Sequence, residues 1–144
     1  MINDDLVILA LSIATDAHRG QKDKGGADYI THPVRVANGC VTNEEKIVAL
    51  LHDVLEDTDI NEEYLIRKGF PGFIVDAIKS VTRKSGEHYE DFIERCSLDA
   101  IGIKVKLEDL RDNMDVSRLK NLNEKDFERL KKYHKAYWYL KSKL

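Results

Sequence analysis

The stretch Asn43-Glu44-Glu45-Lys46-Ile47-Val48-Ala49-Leu50-Leu51-His52-Asp53-Val54-Leu55-Glu56-Asp57 decides the fold. It is dense in good helix formers and opens on acidic residues, which suit the positive end of a helix dipole. The pattern predicts one apolar, central helix. On a continuous helix His52 and Glu56 stack one turn apart, as do Asp53 and Asp57, which gives two adjacent polar stripes. Val48, Ala49, Leu50, Leu51, Val54 and Leu55 imply that the surrounding surface is buried. Ionisable groups are costly in such surroundings, and a bound cation would offset that cost. Taken alone, the dipeptide is better served by an ordinary His52–Asp53 hydrogen bond with Glu56 and Asp57 facing water.

Working outward, the other segments also read as helical. Leu6, Ile8, Leu9, Leu11, Ile13, Ala14 and Ala17 follow a period nearer 3.6 than 2, so a first helix spans 3–18 with Asn3 as its N-cap. The run from Arg19 to Tyr29 breaks the pattern; it is a basic loop whose glycines Gly20, Gly25 and Gly26 permit backbone conformations closed to other residues. Thr31 precedes His32-Pro33 as the expected N-cap of a second helix. Helical spacing recurs in Asn61 to Lys68, Pro71 to Val81, Tyr89 to Cys96, Asp99 to Val116 and Glu124 to Leu144. Ile101 to Leu107 alternates and is β-branched enough to pass for a strand, but no partner strand is evident, so it is assigned to a helix. With no internal repeat or composition shift, the expectation is an all-α, single-domain helical bundle over residues 1–144.

Composition narrows the function. A chain of 144 residues can bury about two thirds of its unfolded surface, so it needs no disulfide or metal staple. Its formal charge of −3, with both signs mixed along the chain, provides no global field for a nucleic acid polymer. Cys40 and Cys96 stand apart and are expected to be reduced, buried thiols. The opening Met-Ile-Asn-Asp-Asp lacks the features of a signal peptide, and no apolar run reaches membrane-spanning length, so a cytoplasmic protein with no membrane partner is expected. A homo-oligomer is left open.

The polar interruptions recur. His32 begins a helix, and Asp109 sits in Lys106-Leu107-Glu108-Asp109, another charged interruption of a helical pattern. Two histidines and two aspartates, His32, His52, Asp53 and Asp109, can complete a site for one divalent metal. Mixed imidazole and carboxylate ligands suit manganese, iron or zinc more than calcium. A metal held that way lowers the pKa of its water and polarises a phosphoryl oxygen, which makes phosphate-ester hydrolysis the natural reaction.

The sequence resembles the HD-domain phosphohydrolases, and within them the guanosine tetraphosphate hydrolase domain of the RelA/SpoT type and the stand-alone small alarmone hydrolases. The resemblance lies in four ordered blocks: Ala17-His18-Arg19-Gly20-Gln21; Tyr29-Ile30-Thr31-His32-Pro33-Val34-Arg35-Val36-Ala37; Ala49 to Thr58; and Val105-Lys106-Leu107-Glu108-Asp109 with Asn113-Met114. It implies an HD-type bundle, metal ligands His32, His52, Asp53 and Asp109, and manganese as the metal. Glu56 and Asp57 would activate or orient the attacking water and assist the leaving group. Arg19, Lys22 and Lys24 would hold a phosphate or diphosphate, with Asn113 and Tyr133 beside the nucleotide. The implied reaction removes pyrophosphate from the 3′ position of guanosine tetra- or pentaphosphate, leaving GDP or GTP. Hydrolysis of another nucleotide or phosphorylated metabolite, and non-catalytic nucleotide sensing, are the alternatives. The chain departs from the family pattern at Leu110-Arg111-Asp112, where an added acid either repels a phosphate or pairs with Arg111 or Arg118. Thr82 to Ser97 carries no family signature, although this region forms the mouth of the site in such proteins.

Overall fold

The computed structural model describes residues 2–144. Its centre is α3 (Asn43–Leu51), capped by Thr42, whose hydroxyl accepts from the Glu45 amide, and opened by Glu44 and Glu45. Ile47, Val48, Ala49, Leu50 and Leu51 are all buried, so nearly every face of the helix is covered. The covering elements are α1 (Asp4–Ala17), α2 (Thr31–Asn38), α6 (Gly72–Ser80) and α8 (Ala100–Asn113). Each fully buried Leu or Ile contributes about 1.5–3 kcal/mol by leaving water.

The expected single helix from Asn43 to Asp57 breaks at His52-Asp53, and Val54–Asp57 continues as the separate turn α4. The break has a local cause. The Ala49 carbonyl accepts from the His52 amide at 3.5 Å and from His52 Nδ1 at 2.6 Å. These bonds close the helix end with a tighter turn and a side-chain cap. Asp53 then sits at φ −105°, ψ −3°, off the regular helical path. Two smaller differences concern helix ends. Thr31 is the first residue of α2, not its N-cap, and its hydroxyl donates to the Asp28 carbonyl at 2.8 Å. The helix expected to run to Val116 stops at Asn113 and is followed by a 3₁₀ turn, Val116–Arg118.

The remaining elements follow the sequence pattern. Asn3 caps α1, Asn61 caps α5 (Glu62–Arg67) and Asp99 caps α8. Asn123 and Asp126 form a reciprocal capping box that starts α9 (Glu124–Lys141). Ile101 to Leu107 is helical within α8. Gly102 lets α8 approach α6 closely, since a Cβ there would run into the Ser80 hydroxyl. In the basic loop Gly20 and Gly26 take positive φ, while Gly25 does not. Cys40 and Cys96 are free and buried. A second apolar cluster joins α7 (Tyr89–Cys96), α8 and α9 through Phe92, Ile93, Ile103, Leu107, Leu110, Ala136 and Leu140. Trp138 and Tyr139 lie outside it, 59% and 38% exposed, so only part of the aromatic C-terminal helix is core. No helix of the described residues is long and apolar enough to cross a membrane.

Arg95 clamps the loop between α6 and α7. It pairs with Glu87 in bidentate fashion, Nε to Oε2 and Nη2 to Oε1, both at 2.9 Å. It also donates to the carbonyls of Lys79 and Thr82 at 2.9 and 2.7 Å. Arg95→Met is expected to lower unfolding free energy by about 2 kcal/mol at pH 7, because the carboxylate and two carbonyls lose charge-assisted bonds. The guanidinium hydrogen bonds pull the Glu87 carboxyl from 4.5 down to about 2. A depressed carboxyl stabilises the fold above its unfolded pKa and ceases to do so as pH falls through the folded one. Urea unfolding of wild type and variant should therefore differ fully above about pH 4.5, and the difference should narrow towards pH 2 to the part that the two carbonyl bonds contribute. A difference that stays constant over that window would show that Glu87 ionisation is not its source.

Candidate metal centre

The break after α3 turns His52 and Asp53 into one site, whereas neighbours on a regular helix diverge by about 100°. His52 Nε2 lies 3.1 Å from Asp53 Oδ2 and 3.3 Å from Asp109 Oδ1. His32, from the first turn of α2, brings its Nε2 to 2.9 Å from Asp109 Oδ1 and 3.9 Å from Asp53 Oδ2. The ligand atoms of His32, His52 and Asp109 all lie within 4.8 Å of one another, and all three residues are buried.

Hydrogen bonding on the far side of each ring decides what these nitrogens offer. The Ala49 carbonyl can only accept, so His52 Nδ1 donates to it, at 2.6 Å. Asp112 Oδ2 lies 2.6 Å from His32 Nδ1, and the same carboxylate accepts from Arg35 Nε and Nη2 at 2.9 and 3.1 Å. Those partners keep Asp112 ionised, so His32 Nδ1 is the donor there too. Both rings therefore turn Nε2 towards carboxylate oxygens, where the neutral imidazole would offer a lone pair; His32 Nε2 is at hydrogen-bond distance from Asp109 Oδ1, and buried His52 Nε2 has no hydrogen-bond partner. Lone pairs so arranged repel unless a positive centre, a proton on Nε2 or a metal ion, lies between them. Burial works to lower both histidine pKa values, yet contacts with Asp109, together with Asp112 for His32 and Asp53 for His52, push them up. The cluster attracts a cation, and two nitrogens with two carboxylates form a donor set that fits a divalent transition ion.

Supporting groups hold the carboxylates. Tyr29 donates its hydroxyl to Asp53 Oδ2. Lys106 Nζ donates to Asp109 Oδ2 at 2.8 Å, and Asn113 Nδ2 to Asp109 Oδ1 at 3.1 Å. A second acidic group adjoins the first, since carboxylate oxygens of Asp53, Glu56 and Asp57 also lie within 4.8 Å of one another. The expected His52–Glu56 stripe is thus not formed: His52 turns inward to His32 and Asp109, while exposed Glu56 joins Asp53 and Asp57. Burial, followed by repulsion from neighbouring carboxylates, raises the pKa of both Glu56 and Asp57.

The other residues expected to act have mixed placements. Asn113 meets the cluster directly through Asp109. Tyr133 is half-buried, with its ring 6.4 Å from that of Tyr89. Arg19, Lys22 and Lys24 are not gathered on the cluster; each lies on the exposed loop beside a carboxylate, respectively Asp16, Asp28 and Asp126. The Arg19 and Lys22 pairs are exposed on both sides and worth about 0–1 kcal/mol, while the Lys24 partner Asp126 is buried. His18 is buried, its Nδ1 2.9 Å from Gln21 Oε1, and Gln21 Nε2 donates to the Asp57 carbonyl at 3.2 Å. The basic loop is thereby tied to the acidic turn.

Asp112 was missed as a member of the site. Its i+3 offset from Asp109 placed it on the same helix face, but its sign suggested repulsion or pairing with Arg111 or Arg118. Arg118 does approach it at 3.4 Å, while Arg111 turns to Glu108 and the Tyr137 hydroxyl. What the residue pattern could not show was His32 and Arg35 facing it from α2. Lys106, the buried counter-ion of Asp109, carried no signal beyond its place in the fourth block.

The chain is 36% identical over 117 residues to the guanosine-3′,5′-bis(diphosphate) 3′-pyrophosphohydrolase of Haemophilus influenzae, an alignment covering 71% of this chain and 17% of that protein. It is 36% identical over 121 residues to the bifunctional (p)ppGpp synthase/hydrolase SpoT of Escherichia coli, covering 73% and 17%. The chain thus spans about a sixth of the length of these relatives. A solved structure of a metazoan ortholog of SpoT, described as hydrolysing ppGpp, superimposes with a TM-score of 0.72 at 22% identity, over 97% of this chain and 87% of the other. At that identity the superposition speaks for the fold alone. The HD domain model matches residues 10–101, more than half of the chain and the span that carries His32, His52 and Asp53. This protein belongs to the HD domain family.

Proposed function

We propose that the chain is a single catalytic domain that uses one divalent ion, manganese by preference, to remove the 3′-diphosphate from guanosine tetra- or pentaphosphate. The observation that carries this reading is the pair of Nε2 atoms turned on two carboxylates, with both Nδ1 atoms engaged behind them. His32, His52, Asp53 and Asp109 would hold the ion, which supplies Lewis acidity towards a phosphoryl oxygen and a nucleophile at neutral pH. Glu56 and Asp57, with raised pKa values, are suited to take a proton from the attacking water and return one to the leaving oxygen. The relatives named as guanosine-3′,5′-bis(diphosphate) pyrophosphohydrolases support the substrate class. Asp112 does not weigh against a phosphorylated substrate, because its side chain is 11% exposed and turned to His32 and Arg35.

The test is pyrophosphate and phosphate release from a nucleotide panel, using protein stripped of metal and reloaded with manganese. Pyrophosphate from guanosine tetraphosphate alone establishes the reading. Release from other substrates replaces it with a broader phosphohydrolase, and no release despite bound metal replaces it with a nucleotide sensor.

A prediction follows for Asp112. Asp112→Ala should weaken divalent-ion affinity by about 10–100-fold, since His32 would lose the acceptor that fixes its tautomer and ring orientation. Competition with a chromogenic chelator measures this. Unchanged affinity would reduce Asp112 to a partner of Arg35.

A further inference from the structure

A cluster of cations and aromatic rings beside the metal centre has no role in the chemistry above. Tyr89, at the start of α7, has Lys132 Nζ 4.5 Å and the Arg83 guanidinium carbon 5.7 Å from its ring centre. Lys132 Nζ is also 5.4 Å from the ring centre of Tyr133. The buried Tyr89 hydroxyl has no hydrogen-bond partner. Burial and then Arg83, Arg129 and Lys106 push the Lys132 pKa down. Arg129 is met by Asp126 and Lys106 by Asp109, so their charge is compensated locally. Arg83 donates Nε to the Glu87 carbonyl at 2.9 Å and forms no ion pair among the described residues, although its charge is felt by Glu56.

Like charges gathered around one ring, with an unused hydroxyl donor among them, destabilise the free protein and suit an arriving anion. Guanidinium and ammonium groups are the side chains that bind phosphoryl oxygens, the first of them in bidentate fashion. The cluster adjoins the reaction centre along a traceable path. Lys106, bound to Asp109, lies 5.0 Å from the centre of the Phe92 ring, which is itself 6.1 Å from that of Tyr89. On the other side, Lys106 and Arg83 are the cations that partly offset the raised pKa of Glu56. Arg83 is held there by the Arg95 clamp on its loop. The basic loop at 19–24 is a weaker candidate for the same task, because its cations already face carboxylates.

We infer that Arg83, Lys132 and the Tyr89 hydroxyl form a second anion site that receives the non-reacting diphosphate of the substrate while the scissile one lies over the metal centre. This rests on the proposed hydrolysis of a nucleotide bearing two separate diphosphates, and it makes the second diphosphate the feature that selects the substrate.

The test uses the double variant Arg83→Gln/Lys132→Met, both positions being exposed, with melting temperature as the check on folding. KM for guanosine 3′,5′-bis(diphosphate) should rise by roughly tenfold or more with kcat within about twofold, as expected when ground-state and transition-state binding are lost together. KM for guanosine 3′-diphosphate with a free 5′-hydroxyl should not change. An equal change for both substrates, or none for either, overturns the assignment. Should the wild type release pyrophosphate from neither, the proposed hydrolysis fails, and the anion site is then judged by calorimetric titration of inorganic pyrophosphate into the metal-free chain. Affinity at least roughly tenfold weaker in the double variant upholds the site, and equal affinity removes it.

Discussion

Asp109→Ala is expected to lower the unfolding free energy of metal-free protein by about 3–5 kcal/mol and to abolish stoichiometric divalent-ion binding. The two effects have separate causes. Lys106 is 9% exposed, and its ammonium is bound to Asp109 at 2.8 Å. Burial works to lower the Lys106 pKa, and Asp109 more than restores it. Removing the carboxylate strands a buried charge, and that loss needs no metal. The metal effect arises at the other oxygen, Oδ1, which lies 2.9 Å from His32 Nε2 and 3.3 Å from His52 Nε2. A double variant separates them: Asp109→Ala/Lys106→Met should recover much of the stability by removing the stranded ammonium, yet bind no metal. Urea unfolding after chelator treatment, with metal analysis of the reloaded protein, reads both. Full metal content in the single variant would remove Asp109 from the centre, and unchanged stability would show that Lys106 finds water without unfolding.

Glu56→Gln is expected to retain metal and fold while kcat falls by about 10²–10⁴-fold, the usual contribution of a positioned acid or base. Glu56 is exposed, so the melting temperature should barely move. Its carboxylate lies within 4.8 Å of ligand atoms of Asp53 and Asp57, close to the metal cluster without being one of its buried members. Glutamine keeps the shape and a hydrogen-bonding carbonyl while losing the ability to carry a proton. Single-turnover measurement with manganese-loaded protein isolates that step from product release. Persistent turnover would transfer the proton role to Asp57, and loss of metal would recast Glu56 as a ligand.

Much of the architecture was legible because helix signals are local. Asn3, Asn61, Asp99 and Asn123 sit next to the helices that they cap, and apolar spacing within each segment marked the face that became buried. The same locality misled at His52-Asp53, where propensity favoured an unbroken helix. The imidazole instead capped the Ala49 carbonyl, an alternative bond that propensity does not weigh. The candidate metal-site residues were nameable because two histidines and two aspartates interrupt apolar helical patterns, where they are expensive without a shared partner.

By itself, then, the sequence determined an all-helical chain and most of its helix ends, and it named a candidate set of side chains for a divalent ion. Only the tertiary structure decided which of them meet. His32 and Asp109 are 77 residues apart, and His32 and Asp112 are 80. No local pattern reports such distances, which arise when α2 and α8 pack on the buried surface of α3. The packing turned Asp112 from an apparent obstacle to phosphate into the support of His32. It also brought Arg83, from the loop after α6, to the same ring as Lys132 of α9. A side chain's type is written in the chain, but its electrostatic role depends on which charges close packing sets beside it.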